Sequence, residues 1–165
     1  MTASLVHSAP CPTDVTTAFA AVAGEGWAAR KAEVLHDGSR VVRREERPDG
    51  GVLLAVSREL PDGVPGYLER FLPRDGRIVQ TDEWGPERPD GSRHGTWQVD
   101  LAGAPGKAGG TMRLEPAPDG CTYTVDGEVA VKIPLVGGKA ETFLRDLLVK
   151  LLAKEAGVLR GMLTG

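Results

Sequence analysis

The chain has 165 residues, enough for one domain whose core needs neither disulfides nor metal to hold it. Its 20 basic residues are scattered among 23 acidic ones for a net charge of −3. The densest basic spot, Arg43-Arg44, runs straight into Glu45-Glu46, which argues against a track for phosphate backbones and so against a nucleic-acid partner. No basic patch leading into an apolar run opens the chain, and no stretch approaches the roughly 18 apolar residues of a membrane span. The expectation is a cytoplasmic protein without stable membrane insertion, monomeric or homodimeric.

In chain order, Thr2 to Ser8 reads as a short strand, with Leu5 and His7 on one face and Ser4 and Val6 on the other, ended by Pro10 and Pro12. Thr13 or Asp14 can cap a helix through Val22, with Val15, Ala18, Phe19 and Val22 on its apolar side. Gly24 and Gly26 interrupt, Trp27 to Leu35 reads as a second helix, and His36-Asp37-Gly38 turns the chain. Strand candidates follow at Arg40 to Arg47, Val52 to Leu60, Arg77 to Trp84, His94 to Leu101, Thr111 to Glu115 and Thr122 to Ile133. The last alternates most clearly, Tyr123, Val125, Val129, Val131 and Ile133 against Thr122, Thr124, Asp126, Glu128 and Lys132, as a half-buried strand does. The connectors Pro48 to Gly51, Pro86 to Gly91, Ala104 to Gly110 and Pro116 to Gly120 carry hairpin-turn residues, which implies a mostly antiparallel meander.

The connector Pro61 to Pro73 is too long for a hairpin and too apolar for a free loop. Gly63 and Gly66 can hinge it, and Tyr67, Leu68, Phe71 and Leu72 make it a candidate lid. After it and the remaining strands, the chain ends in a helix from about Gly138 to Met162. Its apolar residues fall at Phe143, Leu147, Leu151, Val158 and Met162, with a second row at Leu144, Leu148, Leu152, Leu159 and Leu163. Glu141, Arg145, Asp146, Lys150 and Lys154 take the opposite side, as four-apart pairs Glu141/Arg145 and Asp146/Lys150. A stripe this apolar needs a surface to cover it, and the preceding strands supply a sheet. Leu147, Leu148 and Leu151 should then be among the most buried residues. Gly157 and Gly161 should fray the last turns.

Strand, two short helices, six strands and a long helix make an α+β chain of helix-grip type, a curved antiparallel sheet of about seven strands around the C-terminal helix. Leu60-Pro61 through Leu72-Pro73, Thr81-Asp82-Glu83-Trp84 and Val131-Lys132-Ile133-Pro134-Leu135-Val136-Gly137-Gly138-Lys139 also resemble an uncharacterised actinobacterial family of the START-like, or SRPBCC, superfamily. The resemblance covers nearly the whole chain and implies a single START-like domain over residues 1–165, of order β-α-α-β6-α, with an apolar cavity between sheet and last helix. Superfamily relatives include lipid-transfer domains, polyketide aromatase/cyclases and plant hormone receptors, and the resemblance brings no catalytic residues to map. In this fold the first strand pairs antiparallel with the last, so Leu5 opposite Gly127 sets Cys11 opposite Cys121. A cytoplasmic setting favours thiols there, although a bridge is open.

Few residues suggest chemistry. Gly137-Gly138-Lys139 lacks the upstream Gly and the following Ser or Thr of a phosphate loop, since Ile133 and Ala140 stand there. His7, His36 and His94 sit apart, Cys11 and Cys121 have no metal spacing, and no Gly-x-Ser-x-Gly elbow occurs. No metal, cofactor or catalytic constellation is expected. In Val52-Leu54-Val56-Arg58-Leu60, however, Arg58 falls on the otherwise apolar face, where it can meet Asp82, bind an anionic ligand group, or escape to water at a bulge.

The expected pocket wall comes from Val56, Trp84, Trp97, Val99, Met112, Leu114, Tyr123 and Val125, facing Phe143, Leu147 and Leu151, with Arg58 and Asp82 as polar members. The function read from this is binding of an apolar small molecule, lipid or polyketide-like. A cyclase- or aromatase-like enzyme on such a ligand, and a protein–protein module with a closed core, stand beside it.

Overall fold

The structure, a computed structural model, describes residues 2–70, 72–100 and 106–164. Phe71 of the candidate lid, Leu101 of the expected strand His94 to Leu101, Ala102, Gly103, and Ala104 and Pro105 of the expected connector lie outside the described residues. The elements are β1 (Ala3–Cys11), α1 (Val15–Val22), α2 (Gly26–Leu35), β2 (Arg40–Glu46), β3 (Val52–Glu59), α3 (Gly66–Glu69), β4 (Arg77–Trp84), β5 (Arg93–Asp100), β6 (Gly106–Ala117), β7 (Gly120–Val131) and α4 (Gly137–Thr164). The strands form one antiparallel seven-stranded sheet in the order β1-β7-β6-β5-β4-β3-β2.

The pairing of first strand with last has the expected register: Leu5 faces Gly127 and Cys11 faces Cys121. Both cysteines are buried free thiols. Burial pushes the Cys121 thiol up to about 12, with the neighbouring Cys11 adding to the shift. Pro10 does not end β1, which continues through it to Cys11, with Pro10 opposite Thr122. β1 is an edge strand, and on an edge a missing N–H need not break the ladder.

α1 starts as its sequence suggests, Asp14 accepting a hydrogen bond from the Thr17 N–H at 2.8 Å. It buries Val15, Ala18 and Val22. β6 begins at Gly106, not at Thr111, because its glycine-rich first half has a cover. Trp97 of β5 lies over it, its indole Nε1–H donating to the Asp126 carbonyl at 2.9 Å. Gly110 pairs with both Trp97 and Gly127, and a Cβ on Gly127 would stand 2.7 Å from the Trp97 ring. The glycines are the seat of the tryptophan.

α4 runs closest to β1, β7, α1 and α2. It continues past Gly157 and Gly161 to Thr164, against the expected fraying. Val158 and Leu159 are buried there, and burying such side chains contributes about 1.5–3 kcal/mol each, more than the roughly 1 kcal/mol each glycine costs. Leu147, Leu148 and Leu151 are half-buried instead of being among the most buried residues. The buried residues of α4 are Ala140, Glu141, Val158 and Leu159, near its two ends. Glu141 therefore does not sit on the wet side: its carboxylate turns inward and accepts the Val131 N–H at 2.9 Å, where β7 ends. Arg145 pairs with Asp146.

Candidate functional site

Two small cavities lie between the half-buried middle of α4 and the sheet. The first, about 20 Å³, is closed by Trp27 of α2, by Arg58, Gln80, Asp82, Trp97, Met112, Tyr123 and Val125 of the sheet, and by Leu148, Leu151, Leu152 and Glu155 of α4. The second, about 50 Å³, is apolar in character and is bounded by Ile78, Val99, Ala108, Val129 and Val131 of the sheet, by Leu144, Leu147, Leu148 and Leu151 of α4, and by Leu60, Pro61, Val64 and Leu72. Lys107 touches its edge. Arg58, Leu148 and Leu151 line both, and so form the partition between a polar and an apolar compartment.

The polar compartment is built around Arg58, which the strand alternation of β3 delivers to the inner face and which is 4% exposed. A charge this deep requires a partner. That partner is not Asp82 but Glu155, with Nη1 2.9 Å from Oε1. The same oxygen stands 3.7 Å from Nζ of Lys31, also 4% exposed, whose ammonium lies 5.0 Å from the centre of the Trp27 ring. Two buried cations thus converge on one carboxylate oxygen. The Arg58 Nε–H is buried without an acceptor. Asp82 is held instead by Gln80, whose amide donates to it at 2.9 Å. Burial pushes the Asp82 carboxyl up to about 6, against the lowering pull of Gln80, Lys31 and Arg58. Burial and the carboxylates of Asp82 and Glu155 hold the Tyr123 phenol well above its ordinary range.

Of the residues expected to line a pocket, Arg58, Asp82, Trp97, Met112, Tyr123, Val125 and Leu151 border the polar compartment. Val99 and Leu147 border the apolar one, where Arg58 and Leu151 recur. Val56, Trp84 and Leu114 are buried but reach neither. Trp84 is covered by α1, the ring of Phe19 meeting it edge-on at 5.6 Å, and it meets Tyr123 at 6.1 Å on its other flank. Phe143 points to a surface groove shared with Pro65, Tyr67, Lys139, Thr142 and Asp146. Among the lid residues Leu72 reaches the apolar cavity, Tyr67 lines the groove under the Lys139 ammonium, and Leu68 is buried in the core. Sequence reasoning missed Trp27, Lys31 and Glu155. Glu155 had a signal: it stands four residues after Leu151, on the apolar stripe, as odd on its helix as Arg58 is on its strand.

A curved antiparallel sheet, a long C-terminal helix across it and compartments between them define the helix-grip, START-like fold. Solved structures share it over almost the whole chain. The di-domain ARO/CYC StfQ from the steffimycin biosynthetic pathway matches 99% of this chain at a TM-score of 0.67 and 14% identity. This chain spans about half of that protein, 51%. Zhui aromatase/cyclase from Streptomyces sp. R1128 matches 99% of this chain and 94% of its own, with a TM-score of 0.61 and 8% identity. Norcoclaurine synthase from Thalictrum flavum matches 98% of this chain and 86% of its own, with a TM-score of 0.56 and 16% identity. A sequence search of curated proteins finds no match. The chain belongs to the family described as Protein of unknown function (DUF2505), whose model matches residues 6–163.

Proposed function

We propose that the chain binds an apolar small molecule, lipid or polyketide-like, between the sheet and α4. The observation that carries this is the leucine stripe of α4: five of its leucines line cavities between helix and sheet. Cavities of about 20 and 50 Å³ are far below the roughly 300 Å³ at which ligand pockets begin, and on this reading the conformation described is a closed one. Binding then separates α4 and the connector from Pro61 to Pro73 from the sheet. The supporting features are Leu72 and Val64 on the cavity wall and Gly63, whose φ of 86° suits a hinge. On this reading the chain works as one START-like domain, monomer or homodimer, in the cytoplasm and without nucleic acid, in keeping with its net charge of −3.

A second reading, an enzyme of cyclase or aromatase type acting on such a molecule, is favoured by one observation. Asp82, whose carboxyl is pushed up by burial to about 6, and the Tyr123 phenol line the same compartment, an arrangement suited to acid–base work. The names of StfQ and Zhui are in keeping with it.

Titration with the neutral fluorophore N-phenyl-1-naphthylamine tests the binding reading. Micromolar binding that Leu147→Trp abolishes, with unfolding unchanged, supports it. No binding, or binding indifferent to Leu147→Trp, leaves a protein–protein module with a closed core.

A further inference from the structure

Resting on that binding reading, we propose that the ligand is a monocarboxylic acid with an apolar body, and that the Glu155 carboxylate occupies its head-group position while the site is closed. The argument begins with an imbalance around Arg58. Its guanidinium can donate five hydrogen bonds in a planar fork suited to a carboxylate, yet its Nε–H is buried with no acceptor. A buried donor left unmade is destabilising, so the fork is better matched to something other than Glu155 alone.

The charges lean the same way. The groups facing this compartment are Lys31 from α2, Arg58 from β3, Gln80 and Asp82 from β4, Tyr123 from β7 and Glu155 from α4. Two are cations, and both are directed at Oε1 of Glu155. Asp82 is engaged by Gln80, and neither cation forms an ion pair with it among the described residues, so the Nε side of Arg58 is left without an acceptor. A single carboxylate on the Nε side of Arg58 supplies the missing acceptor.

Position supplies the rest. Arg58 borders the apolar cavity as well as the polar one, so a head group on Arg58 places an alkyl or aryl body among Leu60, Val64, Leu72 and Leu147, beneath the connector. Glu155 sits on α4, the element that must move for a ligand to enter. Moving it withdraws the internal carboxylate as the external one arrives.

The test compares cis-parinaric acid with its methyl ester, which share the polyene tail and differ in the anionic head. The wild-type chain is expected to bind the acid at least about tenfold tighter than the ester, a difference of about 1.4 kcal/mol. Glu155→Gln keeps an acceptor for Arg58 but removes the competing charge, and is expected to tighten the acid and leave the ester unchanged. The double variant Arg58→Met with Glu155→Gln removes the fork together with its charged partner and leaves a carbonyl oxygen for Lys31, and it is expected to lose the preference for the acid. Ester binding without preference for the acid in the wild-type chain overturns this inference and spares the binding reading. So does a Glu155→Gln variant that weakens both probes equally. Failure of both probes to bind the wild-type chain overturns the two together.

Discussion

Arg58 of β3 and Glu155 of α4, 97 residues apart, meet inside the protein with Nη1 2.9 Å from Oε1. The pair ties β3, the neighbour of the edge strand β2, to the helix that covers the sheet. Their side chains are 5% and 12% exposed, so breaking the pair strands a charge away from water. Arg58→Met or Glu155→Leu alone should lower unfolding stability by about 3–5 kcal/mol, and the double variant, in which Lys31 still loses its carboxylate, should lose less than the two together. Urea unfolding of the three variants measures it. Strictly additive losses would contradict a direct pair.

Asp82 makes stability depend on pH in an unusual direction. Its folded-state value of about 6 lies above the ordinary 3.8, so the native chain holds this proton more tightly than the unfolded chain does. The contribution is fully present below pH 4 and is lost as pH rises from about 4 to about 6. Asp82→Asn should therefore be more stable than wild type above pH 6, by up to about 3 kcal/mol, and the advantage should vanish near pH 4. Unfolding at pH 4 and pH 8 reads both ends. An advantage that grows toward low pH would reverse the assignment.

The turn into α4 holds a strained residue. Leu135 has φ 71°, a left-handed conformation that leucine rarely adopts, and its side chain is fully exposed, so nothing is lost by replacing it. Leu135→Asn should raise stability by about 0.5–1 kcal/mol, since Asn tolerates this region, and β-branched Leu135→Val should lower it. Thermal unfolding of the two variants gives the order, and equal melting temperatures would deny the strain.

Much of the fold could be read from the residues alone. Alternation located the strands, turn chemistry made them antiparallel, and setting Leu5 opposite Gly127 put Cys11 opposite Cys121, as the register has it. Periodicity was weaker where an element's fate depends on what covers it. The glycines at the start of β6 read as connector because their cover is Trp97, from another strand. Trp84 and Leu114 read as pocket wall because nothing local shows that α1 occupies that end of the sheet. Arg58 was legible by parity and Glu155 by its place on the apolar stripe, but spacing within one element does not show that two such residues, far apart in the chain, meet. Glu141 was misassigned for the same reason: helical spacing cannot tell a wet carboxylate from one that turns back onto Val131.

That carboxylate gives a further prediction. Glu141→Ala leaves the buried Val131 N–H without its acceptor and should cost about 1–3 kcal/mol, whereas Glu141→Gln keeps a carbonyl oxygen in place and should cost less. Hydrogen exchange at Val131 is the local readout, with exchange accelerated in Glu141→Ala. Unchanged exchange would show that the N–H is satisfied some other way.

The claim that the space between sheet and α4 is a binding site is tested most directly by native mass spectrometry of the chain purified from its own source. The account predicts a one-to-one adduct that releases an apolar molecule on activation and is absent from Leu147→Trp prepared in the same way. A wild-type chain that flies without any adduct, and takes up no added apolar acid or ester either, would contradict it.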